Sequence, residues 1–193
     1  MTGKSLLIAG FGPFPGQRVN PAQAALAALA RRRAAFALSG IELHTAALPV
    51  EHADVSPRLF RLFVETAPDA VLLLGVAARR KYLSIERVAR NRVTLLRADA
   101  AKQVPWSREI VHGAPERFET PAPAERLAAT ARAKGVPAQI SVDAGAYLCN
   151  EAFYLALLMD RRAVFVHLPD WRGRKLARAV PALEAVAKAL ALA

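Results

Sequence analysis

The chain has 193 residues, 54% of them apolar, which suits one substantial core and is far too apolar for a disordered polymer. No stretch approaches the roughly 20 uninterrupted apolar residues of a membrane span, and a single cysteine excludes an internal disulfide or a cysteine-based metal cage. The formal charge of +11 arises from 27 basic against 16 acidic residues, but the basic residues are dispersed, with only Arg31-Arg32-Arg33 and Arg79-Arg80-Lys81 as triplets, so specific nucleic-acid binding is not expected.

Met1 to Gly16 holds one Lys and a short apolar run broken by Gly-Phe-Gly-Pro-Phe, with no small-residue cleavage site after it. It reads as a first strand and its turn, and the chain is expected in the cytoplasm. Ser5 to Ala9 is a buried-strand pattern. Gly10 to Pro21 has too many Gly and Pro for regular structure. Ala22 to Phe36 predicts one helix with Arg31 to Arg33 in its last turns. Ile41 to Leu48 predicts a strand. Ala53 to Glu65 predicts a helix, with Val55, Leu59, Leu62 and Phe63 at helical spacing.

Ala70 to Leu74 is a further buried strand, stopped at Gly75. Thr94 to Pro123 mixes charges, Pro and Trp106, and reads as a long loop with a short strand or hairpin; its apolar residues around Val104 to Trp106 are candidates for contact between copies in a homo-oligomer. Ala124 to Lys134 is a helix, Ala138 to Val142 a strand, Tyr147 to Met159 a helix, Ala163 to His167 a strand, and Arg174 to Leu192 an amphipathic helix.

Alternation of this kind predicts an α/β fold: one domain over 1–193, an open, twisted, mostly parallel sheet with helices on both faces. Active sites of such sheets lie at the carboxyl ends of the strands, so the loops after Ala9, Leu74, Val142 and Val166 are expected to matter.

Three residues at or near those ends carry chemistry. A lone cysteine is usually a small buried apolar residue, but Cys149 enters a helix near its start, where partial positive charge is expected to lower a thiol pKa and exposed N–H groups can hold an oxyanion. His167 ends an apolar strand and could take the thiol proton and return one to a leaving amine. Glu86, in Ser84-Ile-Glu-Arg-Val-Ala-Arg-Asn, could fix the imidazole tautomer and support its charged form. His44, His52 and His112 show no ligand spacing, so no metal site is expected.

Four blocks in order carry a resemblance. Ser141-Val-Asp-Ala-Gly-Ala-Tyr-Leu-Cys-Asn resembles the cysteine signature of the pyroglutamyl peptidase I (pyrrolidone-carboxylate peptidase) family. Gly75-Val-Ala-Ala-Arg-Arg-Lys-Tyr-Leu-Ser-Ile-Glu-Arg-Val-Ala resembles its glutamate signature. Gly10-Phe-Gly-Pro-Phe with Val19-Asn-Pro resembles its N-terminal loop, and Phe165-Val-His-Leu-Pro its histidine strand. The resemblance implies a cysteine exopeptidase that removes an N-terminal pyroglutamyl residue without cofactor or metal, through a thioester on Cys149 with His167 and Glu86 as partners. It implies a lactam held between Phe11 and Phe14, and it carries Asn20, Arg80 and Arg97 to the substrate as well.

The departures from the family pattern lie near the substrate. Val76 stands where an amide side chain is common and Arg79 where a glycine is. Gly12 and Pro15 replace commoner Glu and Gly in the first loop, and Arg90 an apolar residue. Leu96 occupies the position of the family arginine thought to assist the oxyanion, with Arg97 one residue late, a slip that would reverse the side chain's face in a strand but that an irregular loop can absorb. These departures keep two other readings open: a same-fold hydrolase for another small N-terminal acyl or lactam group, and a non-catalytic binding or scaffolding descendant using its basic surface.

Overall fold

The computed structural model describes residues 3–13, 20–159 and 162–193. Strand β1 (Lys4–Phe11) has Leu6, Leu7, Ile8 and Ala9 fully buried on both faces, which is why its run is continuously apolar rather than alternating. Helix α1 (Pro21–Ala30) starts at Asn20, whose Oδ1 accepts the Ala22 N–H at 2.9 Å, with Pro21 at the first helical position. The single helix expected over 22–36 is broken. The chain bends at Arg31-Arg32 into a short α2 (Arg33–Ala37), which turns Phe36 fully into the core while Arg32 pairs with Glu184.

Then come β2 (Ile41–Leu48), α3 (His52–Thr66) and β3 (Ala70–Val76). β4 (Leu83–Glu86) and β5 (Val88–Arg90) follow, and β6 (Arg117–Glu119) pairs antiparallel with β5. The rest is α4 (Ala124–Ala133), β7 (Ala138–Ser141), α5 (Leu148–Leu158), β8 (Ala163–Leu168) and α6 (Gly173–Ala191).

The main sheet has six strands in the order β2-β1-β3-β8-β4-β7. Four of its five pairings are parallel and one, β4 with β8, is antiparallel, so the sheet is mostly parallel but β4 and β7 run against the rest. β4 is a strand that the sequence patterning does not reveal. It is four residues long and buried at every position, yet two of the four, Ser84 and Glu86, are polar. Two buried polar residues in the middle of a sheet erase the apolar signature that would announce the strand.

Each face of the sheet carries its own core. Leu6, Ile8, Leu72, Leu74, Val164 and Val166 pack with α1, α4 and α6, through residues such as Leu29, Leu127 and Leu183. Leu7, Ala9, Leu73 and Phe165 pack with Val55, Leu59 and Phe63 of α3 and Phe153 of α5. Each such fully buried side chain contributes about 1.5–3 kcal/mol of transfer free energy.

The segment between β5 and α4 is largely irregular and is tied down by polar staples. The Asn91 carboxamide accepts the Ile110 and Val111 N–H groups and donates to the Val111 and Ala114 carbonyls. Val104 and Trp106 on that segment are exposed. Among the described residues no helix is long and apolar enough to cross a membrane.

Candidate active site

β8 lies between β3 and β4, so His167 has Gly75 opposite it on one side and Ser84 on the other. Its ring packs 4.6 Å, centroid to centroid, from that of Phe165 two residues earlier on the same face. Glu86 is two residues beyond Ser84 on β4, hence on the face shared by Ser84 and His167. The outcome is a hydrogen bond of 2.8 Å from His167 Nδ1 to Glu86 Oε1, with Glu86 fully buried and His167 4% exposed. A carboxylate at Nδ1 leaves Nε2 to accept a proton.

Glu86 Oε1 also accepts from Arg80 Nη1 at 2.5 Å, and Arg80 Nη2 donates to the Asp143 carbonyl at 2.7 Å. Arg80 does not reach the pocket described below. From its position in the turn after β3, both ends of the Arg80 guanidinium are taken up by Glu86 and the Asp143 carbonyl.

Cys149 is the second residue of α5, after the loop from Val142 to Tyr147. It is half-buried, and its sulfur lies against β3, where a Cβ on Gly75 would come within 2.9 Å of Sγ and 2.6 Å of Phe165 Cζ. Gly75 reads in sequence as the end of a strand, but the strand runs on to Val76, and the missing side chain is what lets the helix start approach the sheet. Gly75→Ala is therefore expected to force a shift at the thiol. An overpacking cost of about 1–3 kcal/mol, read as a Tm lower by about 2–4 °C per kcal/mol, should accompany a loss of turnover larger than the lost stability explains.

The thiol itself departs from the sequence-based expectation. A helix start was expected to lower its pKa. Instead burial, and then the negative charge of Glu86, push Cys149 up to about 12, against the opposing charges of Arg97 and Arg80 and its own backbone N–H. Desolvation of the charged form outweighs the helix terminus here. At neutral pH the thiol therefore rests in its protonated form.

Cys149 and His167 open into one pocket of about 280 Å³, together with Phe11, Asn20, Val50, Gly75, Val76, Arg97 and the stretch Ala144 to Leu148. Phe11, the last residue of β1, serves the core and the pocket wall at once, at 4% exposure. Phe14 lies outside the described residues. Asn20 is on the wall, but Nδ2 donates to the Phe11 and Gly12 carbonyls and Oδ1 caps α1, so its amide braces the turn that carries Phe11.

Arg97, one residue late against the family pattern, lines the pocket. The Thr94 N–H donates to the Ala146 carbonyl at 2.7 Å and Tyr147 Oη donates to the Ala98 carbonyl at 3.0 Å, holding this irregular segment against the cysteine loop. The Arg97 guanidinium lies 4.3 Å from the centroid of the Tyr147 ring and lines the pocket, while Leu96 is 97% exposed. No strand pleat dictates which face each residue takes there. Val76 presents an apolar wall, and Arg79 is exposed.

Asn150 is a residue that the sequence reading passed over. It is 1% exposed; its Oδ1 accepts the Arg90 N–H and its Nδ2 donates to the Arg90 and Arg92 carbonyls, anchoring the start of α5 to β5. The available signal was a polar Asn-Glu pair inside an otherwise apolar helix.

The sequence profile of the pyroglutamyl peptidase family matches residues 4–181. This chain belongs to the pyroglutamyl peptidase family. Among curated relatives, it is 36% identical over 192 residues to the pyrrolidone-carboxylate peptidase of Thermococcus onnurineus, covering 95% of this chain and 94% of the relative. Among solved structures, it superposes on pyroglutamyl peptidase I of Bacillus amyloliquefaciens with a TM-score of 0.87 at 26% identity, over 98% of each chain. Pyrrolidone carboxyl peptidase of Thermus thermophilus gives a TM-score of 0.83 at 34% identity, covering 97% of this chain and 98% of that one. The antiparallel β4 and the sheet around it thus sit within the α/β fold of this cysteine peptidase family.

Proposed function

We propose that the chain removes an N-terminal pyroglutamyl residue from peptides, with Cys149 as nucleophile, His167 as proton carrier and Glu86 as its supporting carboxylate. The observation that carries this reading is the convergence of Cys149 and the His167–Glu86 pair on one small pocket walled by Phe11, in a chain of this family.

The pocket suits an uncharged, compact acyl group. Phe11, Val50, Val76 and Leu148 supply apolar wall, and no Asp or Glu is among its described lining residues. A free α-ammonium group would have no carboxylate to receive it there, whereas a lactam carries no charge and can bond to backbone groups.

The Cys149 thiol passes its proton to His167 Nε2 as Sγ attacks the carbonyl carbon of the pyroglutamyl residue. The Cys149 N–H and Arg97 receive the developing oxyanion. The tetrahedral intermediate collapses with cleavage of the C–N bond, and the imidazolium gives its proton to the departing amine. Water, deprotonated by His167, then attacks the thioester, the C–S bond breaks, the thiolate is reprotonated and free pyroglutamate leaves. Arg97 offsets the desolvation that keeps the thiol protonated at rest, in keeping with its charge acting to lower that pKa.

Three amides of one fluorescent amine test the reading: pyroglutamyl, glutamyl with a free ammonium group, and prolyl. Turnover of the pyroglutamyl amide with the glutamyl amide at least about 100-fold poorer in kcat/KM is expected, since a buried site leaves an unpaired ammonium uncompensated. Preference for the prolyl amide overturns the lactam reading in favour of another small acyl group. Turnover of none of the three overturns the catalytic reading.

A further inference from the structure

We propose that Arg80 is a positioning residue that couples the acid of the triad to the loop delivering the nucleophile, rather than a substrate contact. This rests on the catalytic roles proposed above for Cys149, His167 and Glu86. The geometry is a bridge. One guanidinium nitrogen donates to Glu86 Oε1 at 2.5 Å, the oxygen that also accepts from His167 Nδ1, and the other donates to the Asp143 carbonyl at 2.7 Å. Asp143 belongs to the loop that ends at Tyr147, the residue capping the helix that carries Cys149.

The chemistry of the site calls for such a bridge. Glu86 is fully buried, and its Oε2 is without a hydrogen-bond partner among the described residues. A buried carboxylate lacking a countercharge tends to take up a proton, and a neutral carboxyl cannot support an imidazolium. Arg80 supplies the countercharge from the protein side and so leaves His167 free to change its own charge during turnover.

The second bond sets distance. β7 runs antiparallel to β8, so the cysteine loop must return across the site, and the Asp143 carbonyl is the point where a triad-linked side chain grips it. A planar fork with two donors serves both contacts together; an ammonium group keeps the charge but not the two-point geometry. The charged groups acting on the thiol are Glu86, Arg97 and Arg80, with His167 in the same pocket, so removing Arg80 leaves Glu86 less opposed.

The test compares Arg80→Met and Arg80→Lys with the native enzyme, using the pH dependence of kcat and KM and, without substrate, the rate of Cys149 alkylation by iodoacetamide across pH. For Arg80→Met, kcat is expected to fall about 10- to 100-fold, the scale of losing one or two charge-assisted hydrogen bonds. KM should stay within about threefold, because a positioning residue makes no uniform binding contact. Its alkylation profile should move to higher pH. Arg80→Lys should restore the native profile while kcat remains low.

A KM increase at unchanged kcat would restore the substrate-contact role and overturn the proposal. A kcat loss with an unmoved alkylation profile would reduce Arg80 to a structural support and overturn it as well. Should Arg80→Met fail to fold, Arg80→Lys decides alone: native kcat in that variant would overturn the bridge. Alkylation needs no substrate, so this outcome is separable from any error in the proposed substrate.

Discussion

Cys149→Ala is expected to abolish release of the amine from a pyroglutamyl amide, with a loss of at least about 10⁴-fold in kcat and a folded, thermally stable protein left behind. Alanine removes the only thiol in the chain while preserving a small side chain against Gly75, so the loss is chemical rather than structural. The pH behaviour of the native thiol makes the test sharper. Burial and Glu86 raise its pKa to about 12, so the protonated form dominates at every pH below that.

Alkylation of the free enzyme should therefore be slow near neutrality and climb continuously as pH rises, instead of levelling off at pH 7–8 as a preformed thiolate would. A plateau near neutral pH, with rapid stoichiometric labelling, would show that the proton already rests on His167 before substrate arrives. Activity that survived Cys149→Ala would remove the thioester from the mechanism altogether.

The second large effect separates the two roles of one carboxylate. In Glu86→Gln the amide oxygen can still accept from His167 Nδ1 and Arg80, so the local packing is kept. The negative charge is lost, and the imidazolium formed in the reaction loses its support. A fall in kcat of about 10²- to 10⁴-fold is expected.

The same loss acts on the thiol with the opposite sign, because the Glu86 charge is one of the two causes that raise the Cys149 pKa. Alkylation of the free variant should be faster than native at a fixed pH while catalysis is slower. Parallel falls in both rates would place Glu86 in a structural role only. Arg80→Met and Glu86→Gln thus move the alkylation profile in opposite directions, although both slow turnover.

Most of the frame was legible because buried strands of a mostly parallel sheet are uninterrupted apolar runs. The runs of β1, β3 and β8 stand out for that reason. β4 did not, because half of its four residues are polar, and a carboxylate in a sheet interior is stable only once Arg80 and His167 have arrived from elsewhere in the chain. The break at Arg31-Arg32 was equally hidden. Local propensity favours helix throughout 22–36, and the need to bury Phe36 and pair Arg32 with the distant Glu184 is a tertiary demand.

The sequence by itself determined the family and the α/β class, and it singled out Cys149, His167 and Glu86 as candidates, since those follow from residue types in ordered blocks. Three matters were decided by the tertiary structure alone. Arg97 reaches the pocket because an irregular segment has no pleat to enforce its face. Arg80 pairs with Glu86 because the turn after β3 brings it over β4. The thiol rests protonated because desolvation and neighbouring charge are sums over groups distant in sequence, which a helix-start motif does not contain.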